Sequence, residues 1–239
     1  MDIFENYIKD YDLNNYKIYL KYEHTKRVQK YCEIIAKELN LDENEIKIAS
    51  LCGLFHDIAR FKQENEYHTF NDLVSFDHGS VGYEIFNEQI KDKLDIKDEE
   101  KNLIAKSILH HNKAEIGKVT KKEEVFCKIV RDADKLDIFY LLGTEKKLMP
   151  KSNLEISKNI HDKFFSHKFI RRDEVNNDME NSILHLCFLW DFNFDISYQI
   201  IKENNLLEKF ENNLNNEIYK EYFEEAKRFI KEKTNGNKI

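Results

Sequence analysis

One proline, Pro150, and six glycines serve all 239 residues of the chain. Architectures built from many short strands need both residue types at their tight turns, so this scarcity turns the reading toward helices. The apolar pattern agrees. Residues 22–39 carry Val28, Tyr31, Cys32, Ile35, Ala36 and Leu39 at three- and four-residue steps, the period of an amphipathic helix. His24 lies one turn before Val28 on the same stripe and therefore points inward. Residues 42–57 open with Asp42 and Glu45 in capping-box spacing and run into His56-Asp57.

Further helices are expected from near His78, across 97–112, and across 121–143 with its end near Gly143. Helical patterns recur after Pro150 in 153–168, 180–192 and 216–233. Residues 60–77 have weak periodicity and many polar groups, and read as a long functional loop with short helical turns. The tail from Glu232 to Ile239 reads as frayed. The expected fold is all-α: a single domain over 1–239, with a helical bundle at about 20–142 and additional helices at about 150–239 packed on it.

No stretch approaches the ~20 apolar residues of a membrane span. The acidic start lacks the basic-then-apolar order of a signal peptide. Cys32, Cys52, Cys127 and Cys187 sit among apolar neighbours without CxxC spacing and read as reduced core residues, so a cytoplasmic location is expected. A net charge of −7 argues against general nucleic-acid binding, while leaving room for a local basic pocket that takes a small phosphorylated ligand.

The costly feature is His56-Asp57 at the end of the apolar run 48–55. Buried polar groups must be paired, hydrogen-bonded or metal-bound. His24 faces inward, and His111 follows Ile104 and Ile108 on a core face, with His110 about 100° around the helix. Asp132 and Asp134 add carboxylates, and helical phase does not choose between them. Imidazole and carboxylate ligands without thiolate suit iron, manganese, cobalt, nickel or zinc over magnesium or calcium. Neighbours on a regular helix diverge, so His56 and Asp57 could both reach one ion only where the helix opens.

The ordered set His24, His56-Asp57 and Asp134, in the contexts "HTKRV", "LFHDIAR" and "DADKLD", resembles the HD superfamily of metal-dependent phosphohydrolases. "TFNDLVSFDHGSVG" and "SILHHNK" extend the match over residues 20–142. The resemblance implies an all-α fold in which His24, His56, Asp57 and Asp134, rather than Asp132, bind a metal. In six-ligand members two further histidines hold a second ion, and these map to His78 and His111. The implied activity is hydrolysis of a phosphoester in a small, nucleotide-like substrate by metal-activated water, using one or two divalent transition-metal ions. Asp57 is the implied orienting carboxylate, and Lys135 resembles a phosphate-contacting lysine of related nucleotidases. Arg60 is a second phosphate-clamp candidate, since a guanidinium can make bidentate contacts. Some of those nucleotidases carry a glutamate where this chain has Arg60, so no general acid is identified. A dinuclear-iron oxygenase of the same superfamily and a non-catalytic nucleotide sensor are the alternatives. His68 reads as a loop residue, His161, His167 and His185 as structural, and Arg171-Arg172 as part of a solvated loop.

Overall fold

The computed structural model describes residues 3–235, and among them there is no strand. The chain divides into two compact units, Met1–Asp134 and Lys135–Ile239. The first contains α1 (Ile3–Ile8), α2 (Tyr16–Glu38), α3 (Glu43–Phe55), α4 (Ile58–Tyr67), α5 (His78–Ile85) and α6 (Asp98–His110). The unit boundary falls within α7 (Lys121–Thr144). The second unit holds α8 (Lys158–Phe165), α9 (Asp178–Leu186), α10 (Asp195–Glu203), α11 (Leu206–Leu214) and α12 (Lys220–Asn235).

Local chemistry sets the helix ends that matter. Asn15 caps α2 through its side chain, two turns before the start expected from the apolar stripe. Asp42 and Glu45 make the expected capping box at α3. Asp77 caps α5 by accepting from Ser80, which fixes His78 as the first helical residue. A π-helical turn, Phe86–Ile90, continues from α5.

The core of the first unit lies where α2 packs on α3, α3 on α6, and α5 on both α4 and α6. Gly53 makes the first contact possible. A Cβ there would lie 2.8 Å from Cys32 Sγ and 2.9 Å from the Gln29 Cα of α2. All four cysteines are buried and free.

Two expectations are corrected. Most of the stretch read as a long loop is helical: α4 covers residues 58–67, leaving 68–77 with one 3-10 turn, Asp72–Val74. Its polar content misled because Gln63 and Glu64 are buried and bonded, Gln63 to Asp72, Ser75 and Phe76 and Glu64 to Lys17. The tail is helical through Asn235, with Phe223, Ala226 and Ile230 buried along α12; residues 236–239, also read as frayed, lie outside the described residues. The short helices α1, α10 and α11 add to the expected set.

Candidate metal centre

The break between α3 and α4 builds the centre. Helix α3 ends at Phe55, and Asp57 adopts φ −105°, ψ 22° before α4 begins. That departure from helical geometry lets adjacent side chains turn toward the same place. His56 and Asp57 are buried there with His24 from α2, while His78 and His111, at the start of α5 and the end of α6, are nearly as enclosed. Asp134 of α7 is part-exposed.

The Asp57 carboxylate divides these groups into two sets. Its Oδ2 lies 3.4 Å from His24 Nε2 and 3.6 Å from His56 Nε2. Asp134 Oδ1 is 3.2 Å from the first imidazole and 3.7 Å from the second. The other Asp57 oxygen, Oδ1, faces His78 Nε2 at 3.5 Å and His111 Nε2 at 3.4 Å. Ligand atoms of His24, His56 and Asp134, and of His56, Asp57 and His111, lie within 4.8 Å of one another. The structure therefore brings all six sequence-derived ligands together, and the carboxylate that joins α7 to them is Asp134.

Hydrogen bonds on the far side of each ring show what the near side can accept. His56 Nδ1 is 2.7 Å from Gly53 O and His111 Nδ1 is 2.7 Å from Ile108 O. A carbonyl only accepts, so Nδ1 carries the proton and Nε2 presents a lone pair. His78 Nδ1 is bound to Asp72 Oδ2 at 2.5 Å, with the same consequence. Burial, with the Arg60 charge, brings the His78 imidazole down to about 4, and burial likewise lowers His56. His78 and His111 thus turn two lone pairs toward each other at 3.0 Å. Such a pair repels unless a cation lies between, so the donor set fits a bound metal ion.

The carboxylates suit the same task. Burial pushes Asp57 up, but the Lys21 charge opposes it and the group is held well below its ordinary range. Burial likewise opposes ionisation of Asp134, and the contact with His24 overcomes it, holding the group well below its ordinary range.

The other candidates sit as follows. Arg60 Nη1 donates to Gln63 Oε1, Phe70 O and Asp72 Oδ1 at 2.6, 2.7 and 2.9 Å, and its Nε lies 3.5 Å from Asp57 Oδ1. Lys135 Nζ contacts the Asp191 carboxylate at 2.5 Å and the Asp191 carbonyl at 2.7 Å. His68 ends α4 in a left-handed conformation. His161 meets Tyr222, and His167 meets Glu225 and stacks on Trp190. Arg171 pairs with Asp173, and Arg172 with Asn181.

Sequence reasoning missed two residues. Lys21 Nζ donates to Asp57 Oδ2 at 2.6 Å; its place three residues before His24 on α2 was a readable signal. Asp72 begins a single 3-10 turn between α4 and α5, too short for an apolar period to mark it.

Residues 22–138 match the family model described as HD domain. No curated protein matches the chain, and no solved structure does.

Proposed function

As an HD-domain protein of the HD superfamily, the chain has a His/Asp cluster able to hold a divalent metal, and we propose that it hydrolyses a phosphoester bond of a small, nucleotide-like substrate. The observation that carries this reading is the single Asp57 carboxylate facing two separate imidazole sets. His24, His56, Asp57 and Asp134 would hold one transition-metal ion, with His78, His111 and the other Asp57 oxygen available to a second. The chemistry such ions supply when bound is a water of pKa near ~7 and a polarised phosphoryl oxygen.

The chain's own cations would bind and orient the phosphate. Lys21 and Arg60 both lie against Asp57, and charge growing on phosphoryl oxygens would be offset there. Lys135 is proposed as a further contact once released from Asp191. The phenyl ring of Phe70 lies beside both Lys21 and Arg60, an apolar surface next to the two cations. Among the described residues no helix is long and apolar enough to cross a membrane. A cytoplasmic location, with neither membrane nor general nucleic-acid partners, completes the reading.

Elemental analysis joined to a substrate panel tests it. Phosphomonoesters, cyclic nucleotides and nucleoside di- and triphosphates would be incubated with added manganese, cobalt, nickel or iron, in air and anaerobically. Metal content and anaerobic phosphoester hydrolysis are expected together, and Asp57→Ala should remove both. Full activity in metal-free or Asp57→Ala protein would refute the proposal. The six-ligand arrangement also favours one second reading, a dinuclear-iron oxygenase, which oxygen consumption without hydrolysis would support. Tight nucleotide binding with no product of either kind would point to a sensor.

A further inference from the structure

The imidazoles around Asp57 are not all anchored in the same way. His56 and His111 each anchor Nδ1 on a carbonyl three residues earlier, so helical backbone alone fixes their rings. His78 takes its anchor from Asp72, a side chain on the 3-10 turn of the 68–77 segment. Asp72 is tied in several directions. Its Oδ1 accepts from Arg60 Nη1 at 2.9 Å and Gln63 Nε2 at 3.0 Å, and its Oδ2 lies 3.4 Å from Asn112 Nδ2.

Lys17, Arg60 and Gln63 hold the His68, Phe70 and Phe76 carbonyls of the segment, and Lys113 holds Asp77. Leu73 and Val74, the two residues after Asp72, are 73% and 67% exposed and supply almost no apolar anchoring. Polar contacts do that work: Leu73 N to Asn71 Oδ1, Ser75 Oγ to Asn71 O, and Gln63 Nε2 to Ser75 Oγ. Displacing this turn removes the acceptor that keeps the proton on His78 Nδ1, and the ring is then free to present N–H, rather than a lone pair, toward His111.

We propose that Asp72 is a positioning residue that makes the His78–His111 half of the centre conditional on the 68–77 segment, whereas His24, His56 and Asp134 come from α2, the end of α3 and α7. The two ion positions would therefore differ in kind: only the one at His78 and His111 is coupled, through Asp72, to the 68–77 segment. Linkage requires the coupling to run both ways, so an ion at the second position must also steady the segment. The inference rests on the reading of the centre as a metal site.

Manganese titration of purified full-length protein, followed by electron paramagnetic resonance, tests it. Wild type is expected to bind two Mn²⁺ per chain and to give the spin-coupled spectrum of an ion pair. Asp72→Ala should keep one tight ion, weaken the second by ~10–100-fold as loss of an outer partner does, and show an isolated-ion spectrum. His78→Ala should behave alike, and Asp72→Asn, which keeps an acceptor oxygen, should recover part of the loss. Hydrogen exchange should slow across 68–77 when Mn²⁺ fills wild type, but not Asp72→Ala. Wild-type affinity for both ions in Asp72→Ala overturns the inference and leaves the metal reading standing, as does a wild type that binds a single ion. A wild type that binds none overturns both. If Asp72→Ala does not fold, Asp72→Asn decides: a weakened second ion supports the inference and two wild-type affinities defeat it.

Discussion

Asp57 carries more contacts than one carboxylate can satisfy as a simple ion pair. Lys21 lies closest to Oδ2, at 2.6 Å, on the oxygen that also faces His24 and His56. A charged hydrogen bond of this kind contributes about 1.5–3 kcal/mol. If Lys21 also serves incoming phosphate, its loss should weaken anion binding without emptying the centre. Lys21→Met is expected to keep the wild-type manganese stoichiometry while raising the Kd for inorganic phosphate roughly ten- to a hundred-fold, read by titration calorimetry on the loaded protein. Unchanged phosphate affinity would remove Lys21 from the anion site. The contrast with the ligands shows what a sequence displays at this scale. His24 and His111 were legible because each interrupts an apolar stripe, and His56-Asp57 because the pair ends one. Lys21 drew no reading, since a lysine is ordinary surface charge and only its spacing to His24 marked it. The choice of Asp134 over Asp132 came from the family motif, since helical phase does not make it and Asp132 is the more buried of the two.

Elements were legible wherever burial followed the helical period, and illegible where polar residues went inside. Helix α4 was read as loop because Gln63 and Glu64 break its apolar pattern, yet both are buried against partners from α2 and from the segment after α4. That same substitution of hydrogen bonds for apolar contacts holds Asp72 in reach of His78. The α2–α3 pair is controlled differently, by a missing side chain. Gly53 allows α3 to approach the Gln29 Cα and Cys32 Sγ of α2, and its carbonyl also anchors His56. Backbone cannot swing aside as a flexible side chain can, so Gly53→Ala must push α3 outward. Overpacking of this sort costs about 1–3 kcal/mol. The expected result is lower stability in urea together with weaker manganese binding, because His56 moves with its carbonyl. A variant as stable as wild type, with full metal affinity, would show that α3 can shift without cost.

At the scale of the whole molecule, each compact unit carries its own linked equilibrium. An ion held at the proposed centre would stabilise the folded form of the first unit by mass action. The second unit contains a proton-linked group, His185 of α9. Its Nδ1 is closed off from water without a hydrogen-bond partner, and burial, with the Arg172 charge beside it, lowers the imidazole from 6.5 to about 3. Between those two values the unfolded chain binds the proton that the folded chain refuses. Stability from this group is therefore complete above about pH 6.5 and is lost as pH falls toward 3. One such proton is worth about 1.4 kcal/mol per pH unit inside that window, or roughly 2 kcal/mol between pH 7 and pH 5. His185→Phe removes the titration and keeps a ring against Phe188, which His185 meets edge-on. The variant should lose less stability than wild type over that interval, by about that amount, in urea unfolding at matched pH. Hydrogen exchange should place the difference in 178–191, while manganese protects amides around residues 24, 56 and 134. Parallel pH slopes in the two proteins would mean that water reaches His185 in the folded state and protonates it as freely as in the unfolded chain.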